Sequence, residues 1–147
     1  MTKPGIGNIY VLSNPAMPGM VKVGFTEKGE VQRRANELSS SSSVPLPFSI
    51  EHEVLVEDPR KFEALIHKKL KRFRVSPDRE FFQIDVEEAI RDVDKVIFGT
   101  DDAGEIFKKS LQMLVELHDK YPERFFDRGE NTIEKVRAVL DGHFKST

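Results

Sequence analysis

Residues 6–25 read I-G-N-I-Y-V-L-S-N-P-A-M-P-G-M-V-K-V-G-F, and this stretch decides the fold. Two runs of β-formers, Ile6 to Leu12 and Met20 to Phe25, flank S-N-P-A-M-P-G, whose two prolines and glycine are turn chemistry. A hairpin follows. In its second strand Val21, Val23 and Phe25 alternate with Met20, Lys22 and Gly24, so Lys22 points away from the valines. If the hairpin is symmetric about Ala16, Tyr10 and Lys22 sit opposite each other and share a face.

Working outward, residues 30–39 predict a helix with Val31, Ala35 and Leu38 on one stripe. Arg34 falls on that same stripe, where a guanidinium needs an ion-pair partner or an anionic ligand. The serine run Ser39–Ser43 ends the helix, and V-P-L-P is an extended connector. Phe48 to Val56 alternates as a third strand. Pro59 opens a helix with Phe62, Leu65, Ile66, Leu70 and Phe73 as its apolar stripe. Glu80 to Ile84 reads as a short strand and Val86 to Phe98 as an amphipathic helix. Two more helical patterns cover about 105–121 and 130–142. The order predicts an α+β fold, a small mixed or antiparallel sheet flanked by helices. The expected division is a domain over 7–98 and a helical extension over 103–147.

Composition narrows the chemistry. The 147 residues, 38% hydrophobic, suffice for one core, and there is no cysteine, so disulfides and thiolate metal sites are excluded. Any metal must be held by Asp, Glu or His, which points to hard cations. No window approaches the length of a membrane span and no signal peptide is visible, so a cytoplasmic protein is expected. The net charge is only −2, yet residues 60–79 hold eight basic and two acidic side chains. For a polyanion that local patch outweighs the sum. The four histidines, His52, His67, His118 and His143, are scattered and read as structural or surface residues. His67 stands apart because it borders the apolar stripe of the basic helix.

Tyr10, Lys22, Arg34 and Glu80 place polar groups at strand and helix positions that a purely structural sequence would more often fill with apolar ones. Around them the sequence resembles the GIY-YIG nucleases: N-I-Y-V-L at 8–12, V-K-V-G at 21–24, R-R-A-N-E-L at 33–38 and R-E-F-F at 79–82. It is most similar to the bacterial and phage branch that begins Y-V-L-S-N-P-x-M-P-G and carries V-K-[IV]-G in place of Y-I-G. The resemblance covers about residues 7–90. It implies catalytic roles for Tyr10, Lys22, Arg34 and Glu80, with Glu80 also the ligand of Mg²⁺ or Mn²⁺ and Gly24 a structural glycine. Asn8 departs from the family's glycine, and Lys22 stands where the second triplet has tyrosine.

What the resemblance implies is a metal-dependent endonuclease acting on DNA, with two subunits pairing to cut both strands. Lys22 would lower the pKa of Tyr10, and Arg34 would neutralise non-bridging phosphate oxygens. Lys61, Lys68, Lys69, Lys71 and Arg72 would hold the nucleic-acid backbone. Packing alone offers other readings: a core tyrosine, a solvent-facing lysine, an Arg34 paired with Glu37, Glu51 or Glu53, and a solvated basic helix. Two further functional readings stand beside the nuclease. One is a catalytically weak relative that only binds nucleic acid. The other is an interaction module using Ile106, Phe107, Leu111, Leu114 and Leu117.

Overall fold

The computed structural model describes residues 4–27, 30–40, 44–125 and 132–144. The chain divides into two compact units, residues 1–99 and 100–147. The first is α+β. Its strands are β1 (Ile6–Ser13), β2 (Met20–Thr26), β3 (Ser49–Glu57) and β4 (Phe81–Gln83). They form one antiparallel sheet in the order β3-β1-β2-β4. Its helices are α1 (Val31–Ser39), α2 (Pro59–Lys69) and α3 (Val86–Phe98).

The unbroken apolar run of β1 reflects its position, central in the sheet and covered on both faces. Tyr10 and Leu12 pack with Val31 and Ala35 of α1 and with Phe48. The alternate residues, Ile9 and Val11, lie on the opposite face and are fully buried. Both α2 and α3 pack against β1 and β2. Pro59 opens α2 at its first turn, where its missing N–H costs nothing. Asp85 caps α3 by accepting from the Glu87 N–H, and Gly99 closes it in the left-handed region.

Three details differ from the sequence expectation. The hairpin is centred one residue later, so Tyr10 pairs with Gly24 and Lys22 pairs with Leu12. The turn sets this register. Asn14 accepts from the Ala16 and Met17 N–H groups, while its own amide donates to the Leu46 carbonyl. The two-residue offset keeps parity, so Tyr10 and Lys22 still share a face. The second difference is that α2 stops at Lys69 and continues as a 3-10 turn, Lys71–Phe73, with Leu65 exposed and off the apolar stripe. Third, β4 begins only at Phe81, leaving Glu80 just before it. Residues 41–43 of the serine run lie outside the described residues.

The second unit holds α4 (Ala103–Lys120) and α5 (Thr132–Phe144), which pack against each other. Leu117 and Tyr121 are buried, whereas Phe107 is exposed. Among the described residues no helix is long and apolar enough to cross a membrane.

Candidate active site

Lys22 is the charged side chain that the sheet buries, with 8% of its surface exposed. It sits on β2 beside Leu12, on the face covered by α1. Desolvating an ammonium is expensive unless it is paired. Its partner is Glu80, whose Oε2 lies 2.8 Å from Lys22 Nζ, while the Phe81 ring lies 5.5 Å away. The glutamate is held in place because the backbone continues into β4, and its carbonyl accepts from the Val23 N–H at 3.2 Å. Glu80 keeps 38% of its side chain exposed, so the pair has one buried and one solvent-facing end. A cavity of about 340 Å³ opens over it, lined by Lys22, Leu38, Asp78, Arg79, Glu80 and Phe81, among others.

Tyr10 crosses the strand pair above Gly24. A methyl group on Gly24 would lie 2.6 Å from the phenolic oxygen and 2.8 Å from Cζ, so only glycine leaves room for the ring. Arg34 reaches the same phenol from α1. The expectation that Arg34 is buried is corrected. Its side chain is 44% exposed and lies 3.4 Å from Glu37, because α1 buries only Val31 and Ala35 and leaves the next residues at the rim.

The expected effect of Lys22 on Tyr10 is corrected too. Burial raises the Tyr10 pKa above its ordinary value, and the Arg34 guanidinium opposes the rise only partly. The Lys22 ammonium is committed to Glu80. Tyr10 therefore holds its proton at neutral pH.

Two residues of α2 join this neighbourhood unannounced by the sequence reading, Glu63 altogether and His67 as a group with a place in the site. Four residues apart, they share one side of the helix. His67 Nε2 donates to the Val23 carbonyl at 2.9 Å, on the edge of β2 beyond the end of β4, and its ring packs on Phe82 at 5.2 Å. Burial lowers its pKa, so the ring stays neutral near pH 7. Glu63 is half-buried. Desolvation, with the charge of Glu80 second, raises its pKa to about 7 against the pull of Lys22, Arg60 and Arg74. The signal available in the sequence was the i,i+4 spacing beside a basic run, but the helix's outer face gave the same pattern.

The sign of that shift gives a prediction. Folded Glu63 keeps its proton up to about pH 7, whereas an unfolded glutamate releases it near 4.5, so stability falls as pH rises between those values. Glu63→Gln removes the cost. At pH 8 the variant should be about 1–2 kcal/mol more stable than wild type in urea, after allowance for solvent screening, and equal to it at pH 4. A variant less stable at pH 8 would show that the carboxylate is satisfied rather than desolvated.

Whether the site suits a divalent cation follows from its donors. Among the described residues no cluster of three or more His, Cys, Asp or Glu side chains is poised to hold an ion. What is present is one half-exposed carboxylate, Glu80, with Asp78 lining the same cavity. Those donors do not make an all-protein cage. They fit a hard ion that keeps most of its waters, as Mg²⁺ does.

The fold and site define an α+β domain with a buried lysine–glutamate pair under a concave surface, beside a basic helix. Among known families, the T5orf172 domain matches residues 7–97. The chain belongs to the T5orf172 domain family, a phage-derived domain associated with nuclease-like, GIY-YIG-like folds. The match is to that domain and not directly to the GIY-YIG family. No curated protein and no solved structure matches the chain.

Proposed function

We propose that the protein is a metal-dependent endonuclease of GIY-YIG type that hydrolyses phosphodiester bonds in DNA. The observation that carries this reading is the Lys22–Glu80 pair, buried at one end and open to a cavity at the other, with Tyr10 and Arg34 on the same face. Family membership supports a nucleic-acid-related role.

Each residue contributes a distinct action. Arg34, exposed at the rim and always cationic, offers a planar fork to the non-bridging oxygens of the scissile phosphate. Tyr10 keeps its proton and donates a hydrogen bond towards the attacking water. That water must lose a proton, and Glu63, with a pKa of about 7, is matched to accept it at neutral pH. Lys22 fixes the Glu80 carboxylate and adds positive charge where the phosphorane becomes most negative. Glu80 would hold Mg²⁺ or Mn²⁺, which when bound supplies charge stabilisation for the departing 3′ oxygen. Lys61, Lys68 and Lys71, all exposed, supply the backbone contacts. Two copies would pair to cut both strands.

One observation favours a second reading. The 2.8 Å ion pair occupies an oxygen of the very carboxylate that the ion needs, as it would in a relative that binds nucleic acid without cutting it. End-labelled DNA and RNA duplexes incubated with Mn²⁺ separate the two. DNA fragments ending in 5′-phosphate and 3′-hydroxyl are expected; retained but intact duplex would favour the binding-only protein.

A further inference from the structure

The residues of α2 and its continuation form a second feature, distinct from the lysine–glutamate pair. Steps of three or four residues put Ala64, His67 and Lys68 on one side of α2, and the 3-10 turn and the extended residue after it bring Lys71 and Arg74 beside them. Together with Pro77 they line a cleft of about 510 Å³. Among the described residues three cations line it and no carboxylate does.

Its walls are of two kinds. His67 and Arg74 are pinned. The first bonds to the Val23 carbonyl; the second donates from Nε to the Arg79 carbonyl at 2.9 Å and lies 5.8 Å from the Phe82 ring. The side chains of Lys68 and Lys71 are exposed and make no hydrogen bond or ion pair among the described residues. A rigid floor with two unpaired ammonium groups above it leaves an anion as the partner of fitting charge. The cleft also adjoins the candidate active site. Arg79, whose carbonyl holds Arg74, lines the cavity over Glu80.

We propose that this cleft seats backbone phosphates of a nucleic-acid strand, and, resting on the nuclease reading, that these phosphates flank the bond to be cut. Lysines serve that purpose as mobile point charges, positioning a strand without reading its bases. The cleft also sorts the basic run. Lys68 and Lys71 belong to it with Arg74, whereas Lys69 and Arg72 do not line it.

The test is fluorescence anisotropy of a labelled DNA duplex in EDTA, where cutting does not intervene, across a salt series. Two double variants carry equal charge loss: Lys68→Ala with Lys71→Ala, and Lys69→Ala with Arg72→Ala. The cleft pair should weaken binding about tenfold at low salt and flatten the log–log salt slope by about 2. The control pair should change affinity less than about threefold, the residue of long-range charge. Equal losses from both pairs, or none from the cleft pair, would overturn the proposal. So would displacement of the duplex by millimolar inorganic phosphate at constant ionic strength, which would mark a free-phosphate site. Parallel incubation with Mg²⁺ keeps the two readings apart. A wild type that binds through the cleft but never cuts leaves the cleft standing and removes the nuclease.

Discussion

Glu80→Ala and Arg34→Ala are each expected to lower the single-turnover rate of DNA cleavage by about 10²- to 10³-fold, the usual loss when one preorganised charge is removed from a reacting phosphate. The two should differ in stability. Removing Glu80 strands the Lys22 ammonium, 8% exposed, without its partner at 2.8 Å, so this variant should also lose about 1–2 kcal/mol. Arg34 is 44% exposed and its loss should cost under about 1 kcal/mol. Glu80→Gln, which keeps the volume and a hydrogen-bond acceptor for Lys22, separates folding from chemistry. It should unfold near wild type and still be inactive. Full activity in Glu80→Gln would remove the carboxylate from the mechanism.

Gly24→Ala is expected to destabilise the domain strongly. Alanine ordinarily stabilises a strand over glycine by about 0.5–1 kcal/mol. Here its Cβ would meet the Tyr10 ring at 2.6 to 3.1 Å, and that ring is 2% exposed with Val31, Ala35 and Phe48 packed around it. The phenol must swing out or the strands must part, at a net cost of about 2–3 kcal/mol. For a unit of this size that is a fall in Tm of about 10 °C or more. The companion variant Gly24→Ala with Tyr10→Phe removes the oxygen that makes the shortest contact. It should recover part of the stability and none of the activity. An unchanged Tm in Gly24→Ala would show that the ring is not confined.

What the sequence revealed, and what it hid, has a physical logic. The β-formers of I-Y-V-L announced a strand, and the prolines and glycine of the turn announced the hairpin; that the strand is covered on both faces came from the structure. Parity along a strand is robust, so Tyr10 and Lys22 were assigned correctly to one face. Register depends on a turn whose hydrogen bonds come from Asn14, including one to Leu46 on a distant segment. No local pattern reports such a bond. Periodicity put Arg34 on the stripe of α1 yet could not show how little of that helix the sheet covers. Lys22 and Glu80 meet across 58 residues of sequence, a pairing suggested by the family resemblance alone. Glu63 escaped notice because a glutamate on a charged helix looks solvated until the helix is docked on the edge of β2.

On the proposed reading, the constellation around Lys22 and Glu80 cuts a phosphodiester bond with the help of a divalent ion. The measurement that meets it most directly is relaxation of supercoiled plasmid by the purified wild-type chain, with Mg²⁺ and with EDTA. Open-circular DNA that accumulates with time is expected with Mg²⁺ and none with EDTA. Plasmid that stays supercoiled in both, under conditions where the protein binds it, would rule out the nuclease and leave a nucleic-acid-binding domain with a silent site.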